Sequence, residues 1–207
     1  MPLLESIGLI GEVGKWVLGK ALAESDAWQP ERRMGDFRVA VNISALQLKR
    51  DRFAEEVLRA AESVRNGLTR LELEITESVL MEDPRRASAI LGRLRDAGIT
   101  VAIDDFGTGH SSLQILSRLP VDTLKIDRSF VRDLATNERH RLLVQTTITL
   151  AKSFGLATVA EGVESEEQVA ILRELGCDSI QGYLVLRPAG AAELGDWLAG
   201  RPPEARC

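Results

Sequence analysis

Two adjacent carboxylates, Asp104 and Asp105, stand directly after the apolar run at residues 100–103. Their charges repel each other, so they must be solvated or bound by a partner. Gly107 and Gly109 follow and allow the chain to turn tightly. Taken alone, such a pair is most simply a solvated strand end that leads into a helix. The ends of the other apolar runs favour a functional site instead.

Polar side chains end the other apolar runs too, and each run alternates between apolar and polar residues. Leu71, Leu73 and Ile75 share one face of a strand, whereas Glu72 and Glu74 share the other. Helices must pack on the apolar face, so the small and charged side chains point to the opposite face. The polar residues that this pattern brings to strand ends are Asn42, Glu74, Asp104, Asp105, Lys125, Asp127, Glu161, Glu164 and Gln181.

The residue types at these strand ends indicate a site for a divalent cation. Carboxylates and an amide, with no histidine or cysteine among them, are hard oxygen ligands that suit Mg²⁺ or Mn²⁺ rather than zinc. Two metal ions bridged by an aspartate would polarise a phosphodiester, and Lys125 could neutralise charge on the phosphate. The structural alternative is a set of buried ion pairs, such as Glu72 with Lys125. It is disfavoured because the acids outnumber the single inward lysine.

Glycine repeatedly separates a helical pattern from the strand that follows it. Gly98, Gly155 and Gly176 each end a predicted helix, and this alternation is typical of a parallel α/β sheet with right-handed connections. Strands are predicted over residues 37–44, 71–78, 100–105, 122–127, 156–164 and 179–186. Helices are predicted over residues 3–23, 46–64, 84–97, 112–118, 138–154, 165–176 and 191–199.

The alternation along the strands favours a (β/α) barrel of the TIM type over an open doubly wound sheet. In a barrel the helices form one outer ring, and inward residues at the carboxyl ends of the strands line the mouth where active sites lie. A doubly wound sheet is covered by helices on both faces and needs apolar residues on both. These strands lack them, so the polar strand ends are expected to converge at one mouth.

Composition and charge limit the class of protein. The 207 residues suggest one domain, expected to span residues 1–200 with a flexible tail at 201–207. A net charge of −5 leaves no broad basic face for duplex nucleic acid or an anionic membrane. Cys177 and Cys207 form neither a metal-binding spacing nor a disulfide framework. Since no signal peptide or apolar run of membrane length occurs, we expect a cytoplasmic location.

The order of these strand ends resembles that of the EAL domain, a family of bacterial cyclic di-GMP phosphodiesterases and their inactive relatives. The resemblance covers nearly the whole chain and implies a TIM-like barrel, usually dimeric. It further implies hydrolysis of cyclic di-GMP to linear pGpG with Mg²⁺ or Mn²⁺, two ions occupying the intact family site. The motifs that carry it are Val41-Asn42-Ile43-Ser44, Glu74-Ile75-Thr76-Glu77, Asp104-Asp105-Phe106-Gly107-Thr108-Gly109, Lys125-Ile126-Asp127, Glu161-Gly162-Val163-Glu164 and Gln181-Gly182-Tyr183.

The resemblance also implies roles for individual residues. Lys125 and Glu161 match the residues that position and activate the water, so they are expected to matter for turnover more than for folding. Glu77 matches the anchor of the loop after Asp105. The residues that match metal ligands are Asn42, Glu74, Asp104 and Asp105. The residues that match groups behind these ligands or on the substrate side are Asp127, Glu164 and Gln181.

The sequence departs from the family pattern at several points. The Glu-Ala-Leu motif, which supplies a metal-ligand glutamate in the family, is absent. His110 stands where tyrosine is usual, and residues 185–188 replace an aromatic-Ser/Gly-x-Pro pattern. We therefore expect an incomplete barrel in which six strands are recognisable and the first two family strands are missing. Turnover by this chain taken alone is expected to be impaired.

An incomplete barrel predicts open strand edges beside residues 37–44 and 179–186. Exposed edges invite pairing with another chain, so a homodimer or a swapped assembly is expected.

Two classes of function stay open. The first is a metal-dependent phosphodiesterase domain acting in bacterial second-messenger signalling, and the second is a catalytically silent EAL-like module that binds cyclic di-GMP or a protein partner. A metal-binding enolase-type barrel is disfavoured because it would need a proton-abstracting lysine or histidine pair.

Overall fold

Six parallel strands form one sheet, and their order in space is their order in the sequence. A computed structural model describes residue 4 and residues 8–28, 37–108 and 116–200 of the chain. Each strand pairs with the next one along the chain in a parallel register. The strands are β1 (Val39–Asn42), β2 (Leu71–Thr76), β3 (Thr100–Phe106), β4 (Thr123–Ile126), β5 (Ala157–Glu161) and β6 (Ser179–Gln181).

The strand order confirms the prediction of a TIM-like barrel over a doubly wound sheet. Because connections between parallel neighbours are right-handed, a sequential order places every connecting helix on the same side of the sheet. A doubly wound sheet requires the order to reverse part of the way across. The sheet instead curls into a half-barrel. Within the described residues, β1 and β6 each pair with one neighbour only, so the expected incomplete ring is also observed.

Ten helices lie in the described residues and connect or flank the strands. None of these helices combines the length and the apolar composition that are needed to cross a bilayer. The helices are α1 (Ile10–Ala27), α2 (Ala45–Leu48), α3 (Phe53–Glu62), α4 (Gly67–Arg70), α5 (Glu77–Glu82), α6 (Pro84–Asp96), α7 (Arg128–Arg132), α8 (Glu138–Ser153), α9 (Glu166–Leu175) and α10 (Ala191–Gly200).

The apolar core fills the space between the sheet and its helices. Leu71, Leu73 and Ile75 are fully buried on the helix side of β2, as their alternation predicts. Leu91 and Leu94 of α6 are equally buried and belong to the same apolar cluster. This one-sided core leaves the opposite face of the sheet free for polar side chains.

Glycine ends three helices as predicted, because it adopts left-handed backbone angles without steric cost. Gly98, Gly155 and Gly176 have φ angles of +100°, +70° and +77°. Each lies just after α6, α8 or α9 and turns the chain toward the next strand.

Several predicted elements are shorter in the structure than in the sequence pattern. The helix predicted over residues 46–64 is divided into α2 and α3, which are separated by a turn at residues 49–52. The strand predicted over residues 179–186 ends at Gln181 because the chain then turns, and the amides of Val185 and Leu186 donate back to the Gly182 carbonyl at 3.0 and 3.2 Å. Gly182 itself lies against the backbone of Val163. A Cβ at Gly182 would lie 2.2 Å from the Val163 carbonyl oxygen. The strand predicted over residues 71–78 ends at Thr76, where α5 begins.

The helix predicted over residues 3–23 is interrupted at Gly8, which turns the chain with a φ of +74°. Leu4 is helical, and α1 begins after the turn at Ile10 and continues past the predicted end to Ala27. The short helix predicted over residues 112–118 falls largely outside the described residues. The tail predicted at 201–207 lies outside them entirely.

Two aspartates set the register of the sheet at the end opposite the polar strand ends. Asp122 precedes β4 and accepts a hydrogen bond from the Val101 amide at the start of β3, at 3.0 Å. Asp178 precedes β6 and accepts hydrogen bonds from the amide and hydroxyl of Thr158 on β5, at 2.8 and 2.7 Å. Since a shift by one residue would turn polar side chains into the core, these bonds help to place the strand ends.

We expect Asp178→Ala to lower the free energy of unfolding by about 1–2 kcal/mol, because two hydrogen bonds to a charged acceptor are lost. Asp196→Ala on α10 removes an exposed carboxylate and should change that free energy by less than about 0.5 kcal/mol. Urea denaturation of both variants beside the parent measures the difference. Equal stabilities of the two variants would show that Asp178 has no part in holding the register.

Candidate metal centre at the strand ends

A single buried ammonium group lies among three carboxylates at the carboxyl ends of the strands. Lys125 of β4 has a side chain that is 3% exposed. Its Nζ lies 2.6 Å from Glu74 Oε1, 2.5 Å from Glu161 Oε1 and 3.2 Å from Asp104 Oδ1. These acids come from β2, β5 and β3, so the curled sheet brings together charges that are far apart in the sequence.

The two adjacent aspartates share this site because the ladder between β3 and β4 contains a bulge. Ile103 pairs with Leu124 and Phe106 pairs with Ile126, so two residues of β3 oppose Lys125 alone. An extra residue of this kind bends a strand and re-aims a side chain. Asp105 is the residue that takes the unusual conformation, with a φ of +53°.

A turn stabilises this left-handed conformation of Asp105. The backbone carbonyl of Asp105 accepts a hydrogen bond from the Thr108 hydroxyl at 2.8 Å and another from the Thr108 amide at 3.4 Å. Aspartate tolerates left-handed backbone angles better than most residues do, yet the conformation still costs about 1 kcal/mol or more. The bulge therefore has an energetic cost at a position where two carboxylates face the same site.

The oxygens at the site fit a hard divalent cation. Asp104, Asp105 and Glu161 each offer a carboxylate oxygen, and these three atoms lie within 4.8 Å of one another. Asp104 Oδ1 is buried and makes no hydrogen bond, although Lys125 Nζ lies near it. A buried carboxylate oxygen without a donor is costly unless a cation approaches it. No histidine or cysteine belongs to this group, so Mg²⁺ or Mn²⁺ would suit it better than zinc.

Burial and charge crowding shift the titration of the acids around Lys125. Burial raises the pKa of Glu74 and of Glu161, while the charge of Lys125 acts in the opposite direction. Burial, followed by the negative charge of Asp104, raises the pKa of Asp105 from 3.8 to about 6. For Lys125, burial works against protonation, but the charges of Glu74 and Glu161 outweigh it and raise its pKa. The lysine is therefore cationic at neutral pH.

Asp127, which follows β4, helps to determine the charge on Asp105. Burial disfavours its ionised form, but hydrogen bonds from the hydroxyl and the amide of Ser129 outweigh this and lower the pKa of Asp127. The Ser129 amide lies 2.9 Å from Asp127 Oδ1. Asp105 and Asp127 also share a hydrogen bond. Because the pKa of Asp127 is lowered and that of Asp105 is raised, Asp105 is the member of this pair that holds a proton below about pH 6.

Glu77 lies beneath the loop that follows Asp105. Its side chain is buried, and its Oε2 accepts a hydrogen bond from the Gly107 amide at 3.2 Å. The second carboxylate oxygen, Oε1, is buried without a hydrogen bond. This hydrogen bond joins Glu77 to the loop after Asp105, and the role of Glu77 as an anchor of that loop stays a prediction.

The structure places the other predicted site residues around this centre. Asn42 is exposed at the end of β1 and is the register partner of Glu74. Gln181 is exposed at the end of β6 and is the register partner of Glu161. Glu164 is exposed in the turn after β5, where its backbone amide donates to Gln168 Oε1 at 2.7 Å. All three lie at the same end of the sheet as Lys125.

The grouping at the centre differs in one respect from the predicted set. The family resemblance implies that Glu74 belongs with the metal-binding aspartates and Glu161 with Lys125. In the structure Lys125 contacts both glutamates, and Glu161 is the one whose oxygen lies close to those of Asp104 and Asp105. Strand order cannot separate these arrangements, because the difference depends on side-chain directions.

The sequence reasoning missed the contact of Ser129 with Asp127, whereas its argument against an ion pair between Glu72 and Lys125 agrees with the described contacts. Ser129 follows Asp127 by two residues, a spacing that is typical of a helix N-cap, and this signal could have identified their contact. Glu72 was the alternative partner of Lys125, but its Oε2 accepts instead from the Thr123 hydroxyl at 3.2 Å. Burial raises the pKa of Glu72. It therefore lies on the polar face of β2 without a direct ion pair to Lys125 in the described contacts.

A curled parallel sheet with an acidic centre at its carboxyl edge defines a class of (β/α) barrel proteins with a candidate metal site. The EAL domain profile matches residues 1–188, and the chain belongs to this family. The family assignment drawn from the ordered motifs is thereby confirmed.

Relatives of this chain include two proteins of Pseudomonas aeruginosa. One is a cyclic di-GMP phosphodiesterase, 39% identical over 198 residues, which cover 96% of this chain and 33% of the relative. The other is the bifunctional diguanylate cyclase/cyclic di-GMP phosphodiesterase MucR, 43% identical over 201 residues, which cover 94% of this chain and 28% of the relative. The chain thus spans about a third or less of these curated relatives.

Solved structures of the same family resemble the fold closely. The EAL domain of Mycobacterium smegmatis DcpA is 44% identical, with a TM-score of 0.87 over 95% of this chain and 88% of that chain. The PaMucR phosphodiesterase in complex with c-di-GMP is 41% identical, with a TM-score of 0.87 over 93% of this chain and 78% of that chain. Both likenesses support the TIM-like architecture.

Because Lys125 lies among three acids, the structure predicts that it stabilises the fold. The sequence pattern did not predict this contribution. We expect Lys125→Met to lower the free energy of unfolding by about 3–5 kcal/mol in metal-free protein, because the acids lose their buried counter-charge. Added Mn²⁺ should restore part of the loss by supplying positive charge. Urea denaturation with chelator and with Mn²⁺ measures both effects.

A matched control for this prediction is Lys49→Met. Lys49 pairs with Glu82, but its side chain is 53% exposed, so its loss should cost less than about 1 kcal/mol. If Lys125→Met were as stable as Lys49→Met without metal, the acids would not depend on Lys125.

The raised pKa of Asp105 predicts that the stability of the metal-free protein depends on pH. This pKa is about 6 in the folded chain, above the usual 3.8, so the folded state binds the proton more tightly. The resulting stabilisation is complete below about pH 4 and is lost as the pH rises through about 6. Asp105→Asn cannot ionise, so we expect it to gain stability relative to the parent across this window. Melting temperatures of both proteins in chelator test this, and a difference that is independent of pH would contradict it.

Proposed function

We propose that this chain is a metal-dependent phosphodiesterase domain that hydrolyses cyclic di-GMP to linear pGpG in bacterial second-messenger signalling. The observation that carries the proposal is the contact of Lys125 with Glu161, at 2.5 Å, beside the clustered oxygens of Asp104 and Asp105. This arrangement provides a cation and a proton acceptor next to a candidate metal site. Membership of the EAL family and the likeness to a cyclic di-GMP phosphodiesterase of Pseudomonas aeruginosa support the choice of substrate.

The proposed metal ligands are the strand-end oxygens predicted from the sequence. They are Asn42, Glu74, Asp104 and Asp105. The geometry adds Glu161 to the groups that can approach a cation. We propose Mg²⁺ or Mn²⁺, two ions in a complete site, because all these donors are oxygens. A bound divalent cation would supply Lewis-acid stabilisation of the charge that develops on the phosphate.

Glu161 and Lys125 have different proposed roles in hydrolysis. Water attacks one phosphorus atom, one P–O3′ ester bond breaks, and the ring opens to one linear product that carries a 5′-phosphate and a 3′-hydroxyl. The leaving 3′-oxygen takes up a proton from solvent. Glu161 accepts the proton that the water loses, and its raised pKa makes it a better base than an exposed glutamate. Lys125 stays protonated, so it can orient Glu161 and offset the negative charge of the phosphate.

The remaining rim residues are proposed to support this centre. Glu77 anchors the loop after Asp105 through the Gly107 amide. Asp127 lies beside Asp105 and holds its protonated side chain through their shared hydrogen bond below about pH 6 in metal-free protein. The exposed side chains of Glu164 and Gln181 lie at the same rim, where they could contact the nucleotide. Substrate contact by these two residues is a proposal that rests on their location and on the family motif.

The silent binding module is the second candidate function. The observations that favour it are the departures from the family pattern within the matched residues, at His110 and at residues 185–188. Impaired turnover, and a homodimer or swapped assembly through the edges of β1 and β6, stay predictions. A titration of cyclic di-GMP beside a turnover assay separates binding from catalysis, and sedimentation measures the assembly.

The hydrolase proposal predicts the behaviour of Glu161→Gln. Loss of the proton acceptor should lower the rate of pGpG formation by about 10²-fold or more, while cyclic di-GMP still binds. Glu166→Gln changes an exposed residue in the first turn of α9 and should leave the rate unchanged. Chromatography of the nucleotides formed with excess Mn²⁺ measures both rates. Near-parental turnover by Glu161→Gln would remove this residue from the mechanism, and a parent that binds but does not hydrolyse would favour the silent module.

A further inference from the structure

An aromatic ring from α7 packs directly against the loop that carries Asp105. Phe130 lies in α7, which begins just after Asp127. A Cβ at Gly107 would lie 3.2 Å from Phe130 Cε2 and 3.6 Å from its Cζ. The distance of 3.2 Å is tighter than ordinary van der Waals contact, so only a residue without a side chain fits here without displacement. Gly107 also has a φ of +96°, which disfavours other residues.

The loop touched by Phe130 is the turn that holds Asp105 in its left-handed conformation. Gly107 is the second residue after Asp105, and Thr108 donates two hydrogen bonds to the Asp105 carbonyl. The Gly107 amide donates to the buried carboxylate of Glu77. The loop is thus held by a hydrogen bond to Glu77 and by the ring of Phe130.

The ring of Phe130 is itself held in place by its neighbours. His140, in the first turn of α8, packs edge-to-face on it with ring centroids 5.8 Å apart and an interplanar angle of 88°. The helix that carries Phe130 is tied to α9, because Gln168 Nε2 donates to the Val131 carbonyl at 3.1 Å. Aromatic pairs of this geometry favour one ring orientation. Phe130 therefore offers the loop a fixed surface rather than a mobile side chain.

We propose that Phe130 is a positioning residue for the metal site, acting through Gly107 on the conformation of Asp105. The packed ring excludes backbone positions in which residues 105–108 relax away from the bulge. Such relaxation would release the unfavourable backbone angle of Asp105 and the charge repulsion with Asp104, so the loop needs support from both sides. The inference rests on the metal-binding part of the proposed function and is independent of turnover.

The test measures the affinity of the chain for Mn²⁺ alone, by electron paramagnetic resonance of the free ion. We expect Phe130→Ala to weaken Mn²⁺ binding by about tenfold or more, the effect that is typical of groups that orient metal ligands. Phe130→Tyr keeps the ring and should restore affinity to within about twofold of the parent. Phe154→Ala removes a 40% exposed ring just after α8 and serves as the matched control with unchanged affinity.

A double-mutant cycle separates positioning from general packing. Gly107→Ala should also weaken Mn²⁺ binding, and its effect should be less than additive with that of Phe130→Ala because both act on one loop. The effects of Gly107→Ala and Phe154→Ala should simply add. If Phe130→Ala does not fold, Phe130→Leu takes its place, because it keeps apolar volume without a planar ring.

Three outcomes would overturn the inference. These are parental Mn²⁺ affinity in folded Phe130→Ala or Phe130→Leu, additivity of the Phe130 and Gly107 substitutions, and a parent chain that binds no Mn²⁺. A parent that binds Mn²⁺ but does not hydrolyse cyclic di-GMP would contradict the hydrolase proposal alone. In that case, weaker binding by the Phe130 variants would still support positioning.

Discussion

The salt bridges of Lys125 are the interaction on which the rest of the site depends. Three carboxylates from β2, β3 and β5 surround one ammonium group that is almost completely buried. Without a cation, acids this close could not stay ionised together. Because β4 lies between β3 and β5, its lysine is the one positive side chain at the acidic cluster among the described contacts. Folding and the candidate chemistry therefore depend on the same charge.

This charge balance leaves negative charge at the site that a divalent cation could offset. Lys125 offsets part of the negative charge, but Asp104 keeps one buried oxygen without a hydrogen bond. The proton that Asp105 holds at low pH offsets a further part, since its pKa is raised to about 6. A divalent cation at neutral pH would take over this function. Unsatisfied groups of this kind are typical of functional sites rather than of stable cores.

The bulge in β3 lowers the stability of the strand but brings two carboxylates to the same site. A regular strand would point Asp104 and Asp105 to opposite faces of the sheet. The extra residue opposite Lys125 and the left-handed angle of Asp105 bring both carboxylates to one site. Contacts from Glu77 and Phe130 to Gly107 then support the loop that continues from the bulge. Local strain is compensated by tertiary contacts that come from two other elements.

The sequence by itself determined the architecture and the identity of the polar strand ends, because both depend on local periodicity. Alternation in β2 requires helices on one face only, and left-handed glycines such as Gly98 end helices whatever their surroundings. Tertiary structure alone decided that Gly182, just past the end of β6, lies against the backbone of Val163 across the sheet. It also decided that a carboxylate oxygen of Glu161 lies near those of Asp104 and Asp105. The bulge in β3, which turns Asp105 toward the same site as Asp104, likewise depends on tertiary structure. These outcomes depend on pairing between strands and on side-chain directions, which no spacing along one chain segment encodes.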